Sequence, residues 1–501
     1  MKTIMPNFST VYIDPVAFTF GISEGEKDSN LHRCFVKTES INVFVHNIQD
    51  KNYVIAPKGF GKSGLCSMIT DPQNNLLSNK DAYIYMNSVH CEQIVEYCTD
   101  VDKLKYNLIS YFLNSIAQHL LKAYDVGMES PISKLREMMS RSLTLDSVEV
   151  KGGITVGALI GDVTGKWTNA GPEISTTHVQ VFEQIEEVLI SKNKRMILCV
   201  DNLDDITKRM DTEKKSKVLT AFYDAIQLIR KWGESKNPLI MPVLFIRDDL
   251  FRLIDRQGES DKRSFITELS WNQDEITRFI VKRFMANDLM NDIRREIRMT
   301  NLQIGKIRSF LLNKRDLSWV DQLTSKQVVE IFKIFFTLDV NETDFYLWLT
   351  QILCDHDNTY NPRTVIDYFD MLLKCQHEQN KSEGITEVPY ENGHYQVFTE
   401  KAALDAFREL QQHKMDDCVD LISIGKIKKS TIKGLIEHIV IRLNRSSTLS
   451  GIQYEQFGLT SDEYYKLIEK MEFYRIIKPV SGKPPYQKYI LSPIMRNYRG
   501  E

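Results

Sequence analysis

The sequence has no apolar stretch approaching the roughly 20 residues that a membrane-spanning helix requires; the nearest, GGITVGALIGDV at 152–163, is far too short. Its first residues, MKTIMPNFSTVYIDP, lack the long apolar core of a secretory leader. Eight cysteines (Cys34, Cys66, Cys91, Cys98, Cys199, Cys354, Cys375, Cys418) are scattered, with none of the C-x-x-C spacing of a metal site. Several lie inside apolar runs, where a reduced thiol packs as a small hydrophobe. Net charge is nearly nil, with 64 Lys and Arg against 67 Asp and Glu, so the chain as a whole is no polyelectrolyte. Internal repeats and low-complexity tracts are also missing. These absences predict a soluble, cytoplasmic protein with no membrane partner, long enough for about two to four domains.

The charge that is present is unevenly placed. Residues 421–501 carry 14 Lys and Arg against 7 Asp and Glu, which leaves the rest of the chain acidic. A basic tail on an acidic body hints at an acidic partner for the tail. Patterning divides the chain further. Residues 1–45 read as a poorly patterned arm, and 46–290 as an α/β core. Strands are expected at 53–56, 82–89, 196–200 and 240–246, and helices from about Lys62, over 104–124, at 181–192 and at 214–232. Strands alternating with helices at this spacing predict a parallel sheet covered on both faces. The Ser-, Gly- and Thr-rich stretch at about 126–176 reads as an inserted β-hairpin. Residues 291–376 are nearly all helical by pattern, 377–396 read as a polar linker, and 397–501 as a last domain.

The chemistry starts at YVIAPKGFGKSGL (53–65). An apolar strand breaks into a turn too rich in glycine for regular structure and resumes as a helix. The phosphate-loop pattern is G-x-x-x-x-G-K-[ST], with Ala56 standing where its first glycine belongs. Pro57, Lys58, Gly59, Phe60 and Gly61 form the turn, whose amides can point inward around phosphates. Lys62 can reach the β and γ oxygens, the Ser63 hydroxyl can ligate Mg²⁺, and Ser63 and Gly64 open a helix whose dipole favours an anion. The alternative is a plain strand-turn-helix.

A phosphate loop needs an acid on a neighbouring strand. MILCVDNLDDI (196–206) offers Asp201 as the Mg²⁺ anchor, with Asp204 or Asp205 to orient or deprotonate an attacking water. PVLFIRDDLF ends a strand in Arg247, at the mouth of the same sheet. NPRTVIDYFDMLL (361–373) puts Arg363 in the first turn of a helix, where a cation opposes the dipole; a γ-phosphate or a carboxylate partner would each explain it.

These parts, in this order, resemble the AAA+/STAND group of P-loop ATPases, near the branch of origin-recognition-type initiators, over about residues 30–500. APKGFGKSGL is similar to the Walker A loop and LCVDNLDD to the STAND form of Walker B, with Arg247 at sensor 1 and Arg363 at sensor 2. The resemblance implies a parallel-sheet P-loop NTPase core with a helical lid (291–376) and a C-terminal winged-helix-like domain (397–501), binding ATP and Mg²⁺. It also implies a homo-oligomer completed by an arginine in trans, for which Arg252, Arg256 and Arg263 qualify, and a switch acting on an effector protein, as in prokaryotic anti-phage defence. Two departures stand out: Asn202 occupies the position of the usual AAA+ glutamate, and Asp205 that of the STAND glutamate. Slow hydrolysis is the expectation, with binding without turnover as the other outcome.

In the last domain, helices are expected around 431–445 and 461–474 and a hairpin wing at 476–491. The last helix mixes charges, from Asp462 and Glu463 to Lys470 and Arg475. Positive charge gathers instead on Lys426, Lys428, Lys429, Arg442 and Arg445 and on Lys478, Lys483 and Lys488 of the wing. Two roles remain open, contact with the phosphates of duplex DNA and docking or oligomerisation with protein.

Overall fold

The computed structural model describes residues 20–22, 27–71, 76–77, 82–87, 91, 94–95, 100–124, 130–145, 174–233, 238–254, 262–286, 317–336, 338–384, 390–391, 394–395, 397–422, 427–482 and 487–498. The chain divides into two compact units, one of residues 39–58 and 62–269, the other of residues 1–38, 59–61 and 270–501.

In the first unit, helix α1 (Glu39–His46) precedes β1 (Tyr53–Ala56), α2 (Lys62–Thr70) and β2 (Ala82–Asn87). Then come α3 (Val101–Ala123), α4 (Ser130–Leu145), α5 (Ile174–Ser191) and β3 (Met196–Asp201), the short α6 (Leu203–Thr207) and α7 (Thr212–Trp232). The unit ends with β4 (Ile240–Arg247), the short α8 (Asp248–Phe251) and β5 (Ile266–Glu268). The strands form one sheet in the order β2-β3-β4-β1-β5, and every pairing is parallel. Parallel neighbours need crossovers, which the helices supply. β1 and β3 are buried along their whole length, which is why they read as unbroken apolar runs. Tyr53, Ile55, Leu198, Val200, Leu244 and Ile246 join one core with α3, α5 and α7. Phe245, one residue along, faces the other way and meets Phe44 of α1 edge-on at 6.4 Å, so both faces are covered.

The expected hairpin at 126–176 is corrected at both ends. Residues Ser130–Leu145 are helical, because Pro131 suits a first turn and Ile132, Leu135 and Met139 fall on one buried face. Residues from Ile174 are helical as well, and 146–173 lie outside the described residues.

The second unit is built on α9 (Gln273–Met285), α10 (Ser325–Phe335), α11 (Phe345–Leu353), α12 (Pro362–Glu383), α13 (Glu400–Leu421), α14 (Lys429–Arg445) and α15 (Ser461–Phe473). An antiparallel hairpin closes it, β6 (Ile477–Ser481) with β7 (Lys488–Leu491), irregular between Pro479 and Ser481. Stacked and tilted rings of Phe332, Phe336, Phe345, Phe369 and Phe398 pack together beside α10, α11 and α12. Helix α12 is pinned to α13 by Lys414–Asp367 at 3.0 Å. The N-terminal segment docks here too: Phe20 stacks on Phe369 at 4.2 Å, and buried Asp28 pairs with buried Arg283 at 2.5 Å.

Two expected boundaries move. The linker at 377–396 starts too early, since α12 runs to Glu383 and stops at Gly384 in a left-handed conformation. A polar surface does not end a helix whose other face, through Leu372, Cys375 and Gln376, is buried. The core ends at residue 269 rather than 290, because α9 belongs to the second unit, where Lys282 pairs with Asp321 at 2.7 Å. The helices and hairpin expected in the last domain are present, with Tyr489 N–H bonded to the Ser447 carbonyl at 2.7 Å.

Candidate functional site

Strand β1 delivers its last residue, Ala56, fully paired and buried, in register with Arg247 of β4. Ala56 is strand, so no left-handed conformation is asked of it and the absent glycine is no obstacle. The two glycines that follow are needed: Gly59 has φ 90° and Gly61 φ 92°, where any side chain is strained. Gly59 is required twice over. A Cβ there would lie 2.6 Å from Asn361 Oδ1 and 2.8 Å from Arg363 Cβ, within the second unit. At Gly61 the nearest atom, on Trp271, is 3.9 Å away. The Trp271 indole N–H donates to the Phe60 carbonyl at 3.0 Å, and Asn361 Oδ1 caps α12 by accepting from Arg363 N–H at 3.0 Å. That same N–H reaches the Gly59 carbonyl at 3.4 Å. Within the second unit the apex of the loop therefore rests on the first turn of α12.

In the first unit, the Lys62 ammonium folds back and donates to the carbonyls of Ala56 at 2.9 Å and Pro57 at 3.0 Å. Burial pushes its pKa down to about 8; Asp201 works against that, Arg247 adds to it, and Asp204 and Asp248 pull it back up. Ser63 and Gly64 follow in the first turn of α2. Asp201 ends β3 with only 2% of its surface exposed. Asn202 then takes the left-handed conformation, φ 62° and ψ 33°, which asparagine tolerates better than most residues, and starts α6. Because β4 lies between β3 and β1, Arg247 emerges between the strand ends that carry Asp201 and the loop. Its guanidinium is gripped by Asp249 through two bonds of 2.9 and 2.7 Å and faces Asp204 at 3.5 Å.

Lys62, Asp201, Asp204 and Arg247 are thus brought together. Asp204 faces Arg247 and acts on Lys62, and Asp205, one residue on, is exposed. Sequence reasoning missed Asp248, Asp249, Asn361 and Trp271. Asn361 had a signal, the Asn-Pro pair of a capped helix start, whereas Trp271 and the two aspartates had none. Lys58 is exposed. Arg252 is exposed on the residue after α8, while Arg256 and the Arg263 side chain lie outside the described residues.

Among the described residues no three His, Cys, Asp or Glu side chains cluster as a metal cage. Mg²⁺ with a nucleotide does not need one, since one carboxylate, one hydroxyl and the phosphate oxygens suffice. A buried carboxylate at a strand end, a serine opening a helix and two left-handed glycines fit that mode of binding. Of the basic C-terminal residues, Lys429 pairs with Asp420 at 2.6 Å, Lys478 with Asp357 at 2.6 Å, and Arg442 donates to the Ser450 carbonyl at 3.1 Å. Lys426 and Lys483 lie outside the described residues. No helix among the described residues is long and apolar enough to cross a membrane. No model of a known protein family matches this chain, and no characterised protein matches it either.

Proposed function

We propose that the protein binds ATP with Mg²⁺ at loop 57–64 and hydrolyses it slowly, as an AAA+/STAND-type P-loop switch that self-associates and controls an effector protein, in the manner of prokaryotic anti-phage systems. The observation that carries this reading is the charge network at the carboxyl end of one parallel sheet. Lys62 stands on the loop side, buried Asp201 on the next-but-one strand, and Arg247 between them with Asp204 and Asp249.

Each residue then has a task. Loop amides and the α2 N-terminus receive phosphate oxygens, and Lys62 exchanges its two carbonyl partners for them. Asp201 and Ser63 would hold Mg²⁺, which would neutralise phosphate charge when bound. Asn202 has no basic oxygen, so orienting the attacking water falls to Asp204, and Asp249 keeps Arg247 from closing on Asp204 completely. Arg363 keeps the role that the resemblance implies, a cation answering the γ-phosphate. The network lacks a glutamate, and the shorter carboxylates favour slow turnover.

The C-terminal helices and hairpin support a second reading, a winged-helix module that brings an initiator-like ATPase to duplex DNA. Phosphate release measured with and without duplex DNA tests both. Asp204→Asn should slow turnover at least tenfold and Asp205→Asn little. A turnover unaffected by Asp204→Asn removes that residue from the chemistry, and stimulation by DNA moves the second reading to first place.

A further inference from the structure

The loop between α11 and α12, residues 354–360, is a closed bracket. Cys354 and Tyr360 bridge across its base, and Asp355 N–H donates to the Thr359 carbonyl at 2.9 Å. The Asp355 carboxylate accepts the N–H groups of Asp357 and Thr359, both at 2.9 Å, and the Thr359 hydroxyl at 2.6 Å. Burial would raise its pKa, but these bonds and one from Arg475 outweigh burial and hold it below the usual carboxylate range. Two cations of the C-terminal hairpin come to this bracket. Arg475, in the turn that leads from α15 into β6, donates to Asp355 at 2.7 Å. Lys478, inside β6, donates to Asp357 at 2.6 Å.

Arg475 takes the left-handed conformation, φ 59°, as the residue that closes α15: its N–H donates to the Glu472 carbonyl at 3.0 Å, and Ile476 N–H to the Met471 carbonyl at 2.9 Å. The end of α15 thus places the guanidinium within reach of Asp355. The hairpin beyond is exposed along β6 from Lys478 to Ser481, and Val480 (59% exposed), Lys488 and Ile490 (41%) are open on it as well. Cations and small apolar groups thus share an exposed face of the hairpin, in a region whose charge is positive overall.

We propose that residues 354–360 act as a clasp, holding Arg475 and Lys478 against Asp355 and Asp357, and that duplex DNA competes for the same two cations. DNA binding by the hairpin and closure of the clasp are then mutually exclusive. The inference rests on the second reading above, that the C-terminal module meets DNA, and adds how that contact is restrained. The clasp runs directly into Asn361, the cap of α12 that touches Gly59, so the bracket and the loop apex are neighbours along the same stretch of chain.

The two sides of one ion pair separate this proposal from a structural role. Asp357→Asn and Lys478→Ala both break the 2.6 Å pair, in which each side chain is about half exposed, and neither should lower the melting temperature appreciably. Only Asp357→Asn frees a cation. Each recovered phosphate contact steepens the salt dependence of log K by about 0.9 and tightens binding about tenfold near 0.1 M salt. Fluorescence anisotropy of a labelled duplex of about 25 base pairs, more than two helical turns, from about 50 to 200 mM KCl reads both quantities on the full chain. Asp357→Asn should bind about tenfold tighter with a steeper slope, and Lys478→Ala no tighter than wild type. Equal affinity and slope in wild type and Asp357→Asn overturn the clasp while leaving DNA binding intact. No binding by either protein overturns the DNA reading and the clasp together. Tightening toward poly-glutamate without tightening toward DNA replaces the nucleic acid by an acidic protein and likewise overturns the proposal.

Discussion

Replacing Gly59 by alanine tests how the apex of loop 57–61 is held. Gly59 and Gly61 share almost the same backbone, φ 90° and 92°, so the conformational penalty for a Cβ is common to both, roughly 1–2 kcal/mol. They differ in their surroundings. At Gly61 the new methyl group meets only Trp271, at 3.9 Å, an ordinary contact. At Gly59 it would stand 2.6 Å from Asn361 Oδ1 and 2.8 Å from Arg363 Cβ, distances that force a shift. Displacing Asn361 uncaps α12, at about 1 kcal/mol, and crowding Arg363 adds about 1–3 kcal/mol of overpacking. Gly59→Ala should therefore cost about 2–4 kcal/mol more than Gly61→Ala. Chemical denaturation followed by circular dichroism compares the two, and hydrogen exchange over residues 361–370 should accelerate only in Gly59→Ala. In that background Asn361→Gly removes the obstructing amide, so the two changes should be less harmful together than their separate costs imply. Equal losses for the two glycines, with strictly additive behaviour at Asn361, would refute the packing of the loop on α12.

Two further predictions concern acid stability and assembly. His178 is buried, shares a short 2.5 Å hydrogen bond with Ser110 and stacks between Tyr106 and Trp232, and burial pushes its pKa down to about 4. The unfolded chain takes up this proton near pH 6.5 and the folded one only near 4, so stability falls as pH falls through that window, by about 3 kcal/mol; His178→Gln should flatten the decline, and an unchanged slope in denaturation midpoints would contradict it. Light scattering should show self-association when a non-hydrolysable ATP analogue is added, and exposed Arg252 makes Arg252→Ala the first variant to slow turnover without weakening nucleotide binding. A strict monomer at micromolar concentration under both conditions would end the assembly proposal.

Four of the sheet's five strands were legible, three of them because they are continuous apolar runs bounded by turn residues, and a strand buried on both faces has no alternation to hide; β5, three residues long, was not. The loop, Asp201 and Arg247 were legible for the same reason, since each sits where such a run stops. What holds them was not. Asp249 follows Arg247 by two residues and looks like the acidic start of a helix, yet its carboxylate fixes the guanidinium. Trp271 and Asn361 reach the loop across hundreds of residues, and no local pattern announces such contacts. The linker was misplaced because polar residues on the outer face of α12 resemble those of a flexible segment, while its buried face is sparse and ends in Gln376. The stretch after 126 was misread because its alternating residues lie beyond a helix with an ordinary amphipathic pattern.

The most direct test of the central claim is calorimetric titration of MgATP into the wild-type protein and into Lys62→Ala across pH 7 to 9. With the Lys62 pKa near 8 and raised by bound phosphate, wild-type binding should take up a proton above pH 8 and weaken by up to about tenfold per pH unit. Lys62→Ala, folded by circular dichroism, should lose binding and with it the proton uptake. Undiminished MgATP affinity in a folded Lys62→Ala protein would contradict the nucleotide site.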